Sequence, residues 1–189
     1  MDSVLIISSS KKGVDFFKDV LSQNFNGEIT TVATGGEARR LIVDRDFDLC
    51  IINAPLSDET GEILACDIVS DKVSQAILVV KSEIADEVSI KVEEHGVITL
   101  AKPMNRLIFW NSFKVANAIH NRVSKLKREN TSLIKKIEDI KMIDRAKCLL
   151  IEYLKMSECE AHRHIEKQAM DMRMTKRQIS ESIIKRYEI

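Results

Sequence analysis

Two groups of residues in this 189-residue chain are equipped for chemistry, and the chemistry differs between them. The first group is Ser8-Ser9-Ser10, Asn53, Lys81-Ser82 and Lys102-Pro103, each set directly after a short apolar run. Hydroxyls, an amide and two lysines can hold a small anion or an acidic side chain of a partner. They are badly suited to a divalent cation, which needs carboxylates, and an amide is a poor nucleophile toward phosphorus. Asp58 and Glu59 could supply carboxylates only if the loop after Asn53 set them tightly in place. The plainer reading of Lys81 and Lys102 is that they reach water along their aliphatic stems.

The second group is cationic: Lys147, Arg163, Lys167, Arg173, Lys176 and Arg177, spread over the last quarter of the chain. Such residues contact phosphates, which gives affinity with little sequence information. Arg173, Lys176 and Arg177 gather at the start of an expected helix, where backbone N–H groups also favour anions. Cys159, His162 and His164 imitate a metal cluster, but positions i, i+3 and i+5 share a helix face poorly, so no metal site is expected. Neither a nucleophile with its base nor a P-loop nor a dinucleotide-binding glycine pattern occurs, which argues against an enzyme and against a bound cofactor.

Net charge is zero, but residues 1–113 hold 11 Lys+Arg against 18 Asp+Glu and residues 114–189 hold 18 against 11. The carboxyl-terminal part is thus the candidate binder of a polyanion. All six glycines and both prolines lie within the first 103 residues, leaving the remainder free to be helical. Cys50, Cys66, Cys148 and Cys159 form no C-x-x-C pair and read as reduced, mostly buried thiols. No apolar run approaches the roughly 20 residues of a membrane span, and Val4 to Ile7 is too short for a signal-peptide core, so a cytoplasmic protein is expected.

The elements that must position the first group alternate. Val4–Ile7, Leu49–Ile52 and Ala76–Val80 have the brevity and uniform apolarity of strands buried on both faces, and Ile29–Val32 and Val97–Leu100 add two weaker ones. Helix-period stretches between them, such as Val14, Phe17, Val20 and Leu21, complete five βα repeats over about 120 residues. The expected architecture is a parallel sheet with helices on both sides, and its functional crevice lies at the carboxyl ends of the strands.

This order, with Asp48-Leu-Cys-Ile-Ile-Asn-Ala-Pro-Leu-Ser-Asp-Glu-Thr-Gly61 and Leu100-Ala-Lys-Pro103, resembles the receiver domain of bacterial response regulators. The resemblance implies a flavodoxin-like (βα)5 fold. It also implies a pocket in which an acidic pair after the first strand binds magnesium and an Asp ending the third accepts a phosphoryl group. Ser9 and Ser10 fall near the acidic pair's position and Asn53 at the phosphoacceptor's, while Lys102 matches the family's lysine. Lys81, followed by Ser82, stands where the family carries Ser or Thr. A degenerate, unphosphorylated receiver is therefore expected over residues 1–118.

Ile119, Val123, Leu126, Asn130, Leu133, Ile137 and Ile140 follow the four-three spacing of a heptad, with Val123, Asn130 and Ile137 at a. A lone Asn at a favours a parallel two-stranded coil, because its amide can pair with its symmetry mate, so 119–141 is expected to be a homodimeric linker. A single amphipathic helix packed on its own domain would show similar spacing. Lys125, Lys127, Arg128, Lys135 and Lys136 then make a solvated basic face.

Residues 142–189 form the third region. The long helix continues through Leu150 and Leu154, Met156-Ser157 breaks it, and Ser157 with Glu160 and Thr175 with Gln178 have capping-box spacing for two short helices. Met142, Met156, Met170, Met172 and Met174 are expected to fill the small core between them. Ile143-Asp-Arg-Ala-Lys147, Glu158-Cys-Glu-Ala161, Ala169-Met-Asp-Met-Arg173 and Ile179-Ser-Glu-Ser-Ile-Ile184 resemble the ANTAR domain. That family binds RNA and prevents transcription termination in bacteria. The resemblance implies hairpin-containing leader RNA as the target, one hairpin for each protomer. Some relatives are held inactive by a ligand-sensing partner, which suggests control through a protein or ligand on the receiver-like domain. Two capped helices after a longer one also describe a DNA-binding helix-turn-helix, and a coil with merely solubilising charges describes a protein-interaction scaffold.

Overall fold

The computed structural model describes residues 1–71 and 74–187, with the side chain of Asp71 outside that description. Its contacts divide into two units, Met1–Lys125 and Leu126–Ile189.

The first unit holds five strands, β1 (Ser3–Ile7), β2 (Glu28–Val32), β3 (Leu49–Asn53), β4 (Gln75–Lys81) and β5 (Ile98–Lys102). All pair in parallel, in the order β2-β1-β3-β4-β5. Alternate residues of the central strands enter two separate cores, as the period of two in a strand requires. Leu5, Ile7, Cys50, Ile52, Leu78 and Val80 face α2 (Gly35–Asp44), α3 (Glu62–Asp71) and α4 (Ser82–Val92). Val4, Ile6, Leu49, Ile51, Ile77 and Val79 face α1 (Lys11–Ser22) and the first turns of α5 (Arg106–Leu154), through Phe17, Leu21, Phe109, Phe113 and Ala116. The edge strand β2 is only partly buried, which accounts for its weaker apolar pattern. The chain winds from β1 outward to β2 and then crosses to β3, so the switch point lies between the ends of β1 and β3.

The second unit contains the later turns of α5 with α6 (Glu158–Met172) and α7 (Lys176–Tyr187). Ala146, Leu150, Ala161, Ile165, Ala169, Ile179 and Ile183 form its core, joined at the margin by Ile143, Met156, Ile184 and Tyr187. Both expected caps are formed. Ser157 Oγ accepts from Glu160 N while the Glu160 carboxylate accepts from Ser157 N, and Thr175 exchanges the same pair of bonds with Gln178. Between the helices Arg173 is left-handed at φ 53°, and its N–H reaches Met170 O while that of Met174 reaches Ala169 O. These two bonds close α6 with a Schellman motif.

Two expectations about small side chains are corrected. Cys50 is buried and Cys66 partly so, but Cys148 and Cys159 are exposed, since each falls on a helix face turned from the small core. Met142 and Met156 are half-buried, whereas Met170, Met172 and Met174 are exposed. The alanines, isoleucines and Leu150 of three short helix segments already fill that core, with Met156 at its margin and Met170, Met172 and Met174 left outside.

Phe109 is fully buried against Phe16 and Phe17. Phe109→Ala is expected to destabilise the first unit by about 3–5 kcal/mol, measured as a lower midpoint of urea unfolding.

Candidate functional site

At the carboxyl ends of the strands the structure brings together Ser8, Asn53 and Lys102. Asn53, buried at the end of β3, donates from Nδ2 to Ser8 Oγ at 2.9 Å. Ser8 Oγ in turn donates to Ser10 O and accepts from Ser10 N. A Cβ at Gly13 would lie 2.3 Å from Asn53 Nδ2, so the first turn of α1 can sit this close to the amide only because residue 13 is glycine. Ser8 is therefore the hydroxyl that meets Asn53. Ser9 is exposed, and Ser10 caps α1 by accepting from Gly13 N at 3.4 Å. A serine triplet carries no signal to rank its members; the strand's alternation, which turns Ile7 to one side of the sheet and residue 8 to the other, is what separates them.

Lys102 Nζ donates to Ala54 O at 2.5 Å. Burial, and then the nearby positive charge of Lys81, hold its pKa below the ordinary lysine value. Lys81 and Ser82 are exposed where β4 passes into α4. The two carboxylates of the following loop are engaged elsewhere. Asp58 accepts from Gly35 N at 3.0 Å and Gly36 N at 2.9 Å, capping α2, and those two bonds hold its pKa below the ordinary Asp value. Glu59 makes a two-pronged pair with the Arg39 guanidinium. Among the described residues no three His, Cys, Asp or Glu side chains converge as metal ligands would.

The six cations singled out from the sequence divide into two sets of three. Lys147 bridges Asp144 at 2.8 Å and Glu158 at 3.2 Å, tying α5 to the start of α6, with its side chain only 14% exposed. Lys176 pairs with Glu166 at 2.5 Å, joining α7 to α6. Arg177 meets Asp139 at 2.7 Å and Glu181 at 3.0 Å, joining α7 to α5. The first two of these bonds in each of Lys147 and Arg177 raise their pKa values, as expected of a cation held by carboxylates. Arg163, Lys167 and Arg173 are exposed and have no side-chain partner among the described residues. Lys185 and Arg186, exposed in the last turn of α7, were not singled out by the sequence pattern, because a basic helix end reads as dipole compensation. Tyr153 and Tyr187 stack on each other with centroids 5.2 Å apart.

On α5 the side chains of Ile119, Val123, Leu126, Leu133, Ile137 and Ile140 are exposed, as is Asn130. The stripe read as a seam is thus not used by the chain's own packing.

Residues 131–184 match the ANTAR domain, and the five-stranded unit that precedes them has the fold of receiver domains. Over 150 residues the chain is 25% identical to the transcriptional regulatory protein PdtaR of Mycobacterium tuberculosis, a match spanning 79% of this chain and 73% of that protein. The receiver fold is shared with a CheY-like response regulator receiver domain from Methanospirillum hungatei JF-1, at TM-score 0.56 and 21% identity, covering 65% of this chain and 98% of that one. A signal receiver domain of an HD domain-containing protein from Pseudomonas fluorescens Pf-5 matches at TM-score 0.59 and 17% identity, over 66% and 92%. A structure titled adenylate cyclase from Rhodopirellula baltica matches at TM-score 0.61 and 18% identity, over 72% and 99%, which at that identity is a likeness of fold. Among the described residues no helix is long and apolar enough to cross a membrane.

The division of the cations has a measurable consequence. Lys147→Ala is expected to lower stability by about 1 kcal/mol, the scale of a surface ion-pair network, whereas Arg163→Ala should stay within about 0.5 kcal/mol of the parent. Urea unfolding of the two variants side by side checks this.

Proposed function

We propose that this chain is an RNA-binding regulator of transcription antitermination in the cytoplasm, dimeric through a coiled coil over 119–141, with its receiver-like part at 1–118 and its RNA-binding part at 142–189. The observation that carries the reading is the ANTAR domain itself, folded as a three-helix module with Arg163, Lys167 and Arg173 exposed and without side-chain partners among the described residues. Those three residues make the phosphate contacts. Lys147, Lys176 and Arg177 chiefly hold the helices that present them.

The receiver-like part is not a phosphoacceptor. Asn53 stands where the receiver resemblance places the Asp, its Nδ2 donating to Ser8, while Lys102 rests on a backbone carbonyl and Asp58 and Glu59 serve α2. A pocket with two lysines and no available carboxylate repels magnesium. Control therefore comes from a protein partner or a ligand with a different affinity for the two states of the chain. The exposed apolar stripe with Asn130 at an a position supports a parallel homodimer, which suits a target carrying two hairpins.

The test is binding of the full-length protein to a two-hairpin RNA, to its scrambled counterpart and to duplex DNA of equal charge, across a salt series and with or without acetyl phosphate and Mg2+. The expected result is preference for the hairpins, affinity falling steeply with salt, and no response to the phosphodonor. Arg173→Ala should flatten the salt slope by about 1. Equal, weak binding to every nucleic acid would defeat the RNA assignment, and preference for the duplex DNA would favour a helix-turn-helix instead. The dimer is tested apart from the RNA: Ile137→Glu, which sets two like charges into the seam, is expected to halve the mass seen by sedimentation, and an unaltered mass would rule the seam out.

A further inference from the structure

The heptad that sets the seam on α5 also sets what flanks it. With Val123, Asn130 and Ile137 at a, the g positions are Arg122, Glu129 and Lys136, and the e positions are Lys127, Ile134 and Lys141. All of these side chains are exposed. In a parallel two-stranded coil each g residue lies beside the e residue of the partner's next heptad. Arg122 then meets the partner's Lys127, and Lys136 meets the partner's Lys141. Glu129 meets the partner's Ile134, which carries no charge. Two-fold symmetry doubles each contact, so the flanks hold four like-charge contacts and no opposite-charge one.

The carboxylates nearest along the helix do not relieve these cations. Asp139 lies three residues after Lys136, and Glu138 three before Lys141, each one turn away. Both carboxylates are turned to Arg177 of α7, Asp139 at 2.7 Å and Glu138 at 4.0 Å. The clamp that holds the three-helix module together thus draws negative charge off α5. Arg122, Lys127, Lys136 and Lys141 have no side-chain partner among the described residues.

Resting on the dimer reading above, we infer that the paired coil is a binding site for phosphate groups, held between Arg122 and the partner's Lys127 and between Lys136 and the partner's Lys141. Apolar burial at a and d draws the helices together, and the facing cations oppose it. A multiply charged oxyanion set between two cations replaces their repulsion by two attractions. Because the cations face each other only in the dimer, the anion binds the dimer more tightly than the monomer, and dimerisation rises with its concentration. The ligand class is an oligophosphate, free in solution or as the backbone of RNA. The seam is therefore conditional: its apolar stripe supplies the contact, and phosphate supplies the charge balance.

The test is sedimentation equilibrium of the full chain at low and high NaCl, and at matched ionic strength with inorganic tripolyphosphate or a blunt RNA duplex. Ile137→Glu, which breaks the seam, identifies the part of the association that the coil carries. The parent is expected to dimerise weakly at low salt and more tightly as NaCl screens the cations, with a further gain of roughly tenfold from tripolyphosphate. Lys136→Glu turns two of the repulsive contacts into attractive ones. It should dimerise roughly tenfold more tightly than the parent at low salt and lose most of the response to salt and phosphate. Tightening by both probes makes any oligophosphate the ligand, whereas tightening by RNA alone, lost in Lys136→Glu, makes it the RNA backbone. A coil dimer that weakens as salt rises, or that ignores both phosphates, would overturn the inference and leave the dimer reading intact. So would a Lys136→Glu dimer no tighter than the parent's. Association that Ile137→Glu leaves unchanged, or a parent that is monomeric under every condition, removes the dimer reading as well.

Discussion

A parallel sheet whose central strands are apolar on both faces must be covered on both, and in this chain half of one cover is the beginning of α5. Phe109, Phe113 and Ala116 are spent against β1, β3 and β4, together with Phe17 and Leu21 of α1. Burial of each such aromatic is worth a few kcal/mol, so the first three turns of α5 are fixed in rotation about their own axis. That choice determines which of the helix's later side chains are left outward, and Ile119 and Val123 are among them. The packing that stabilises the receiver-like unit therefore also fixes which face of α5 those two side chains share.

Electrostatics follows the same economy of partners. The loop after β3 has two carboxylates that could have met the strand ends, but Asp58 is drawn to the unsatisfied N–H groups at the start of α2 and Glu59 to the fork of Arg39. Each is a strong, charge-assisted use of a carboxylate, and each removes it from the crevice. Asn53 then donates to Ser8, and Lys102 settles on Ala54 O at the cost of partial desolvation. In the ANTAR module the acidic residues do the complementary work, pairing with Lys147, Lys176 and Arg177 and using them to clamp α5, α6 and α7 together. A core of small side chains needs those clamps, and what they leave free becomes the charged surface.

The sequence was most legible where periodicity speaks directly. Five strands, the helices between them, the break at Met156-Ser157 and both capping boxes can be read from spacing, because each depends on residues close together in the chain. The family resemblances added the receiver fold and the ANTAR domain. Met170 departs from expectation for an instructive reason: an apolar residue in an amphipathic segment is assigned to the core by default, yet Met170 lies opposite Ala161, Ile165 and Ala169 on the same helix. Counting against the buried face, and not hydrophobicity alone, would have set it outside.

Local chemistry in the sequence thus determined the elements, their caps, the uneven distribution of charge and the absence of an Asp at the end of β3. Tertiary structure decided what the charged and polar residues are for. Whether a lysine is free or clamped, which of three serines meets Asn53, and where a carboxylate is spent are all matters of partners distant in sequence, such as Arg177 and Asp139 or Asn53 and Ser8. A side chain's type sets what it can bond to, but only the fold brings that partner within reach, and a cation already held by a carboxylate has little left to offer a phosphate.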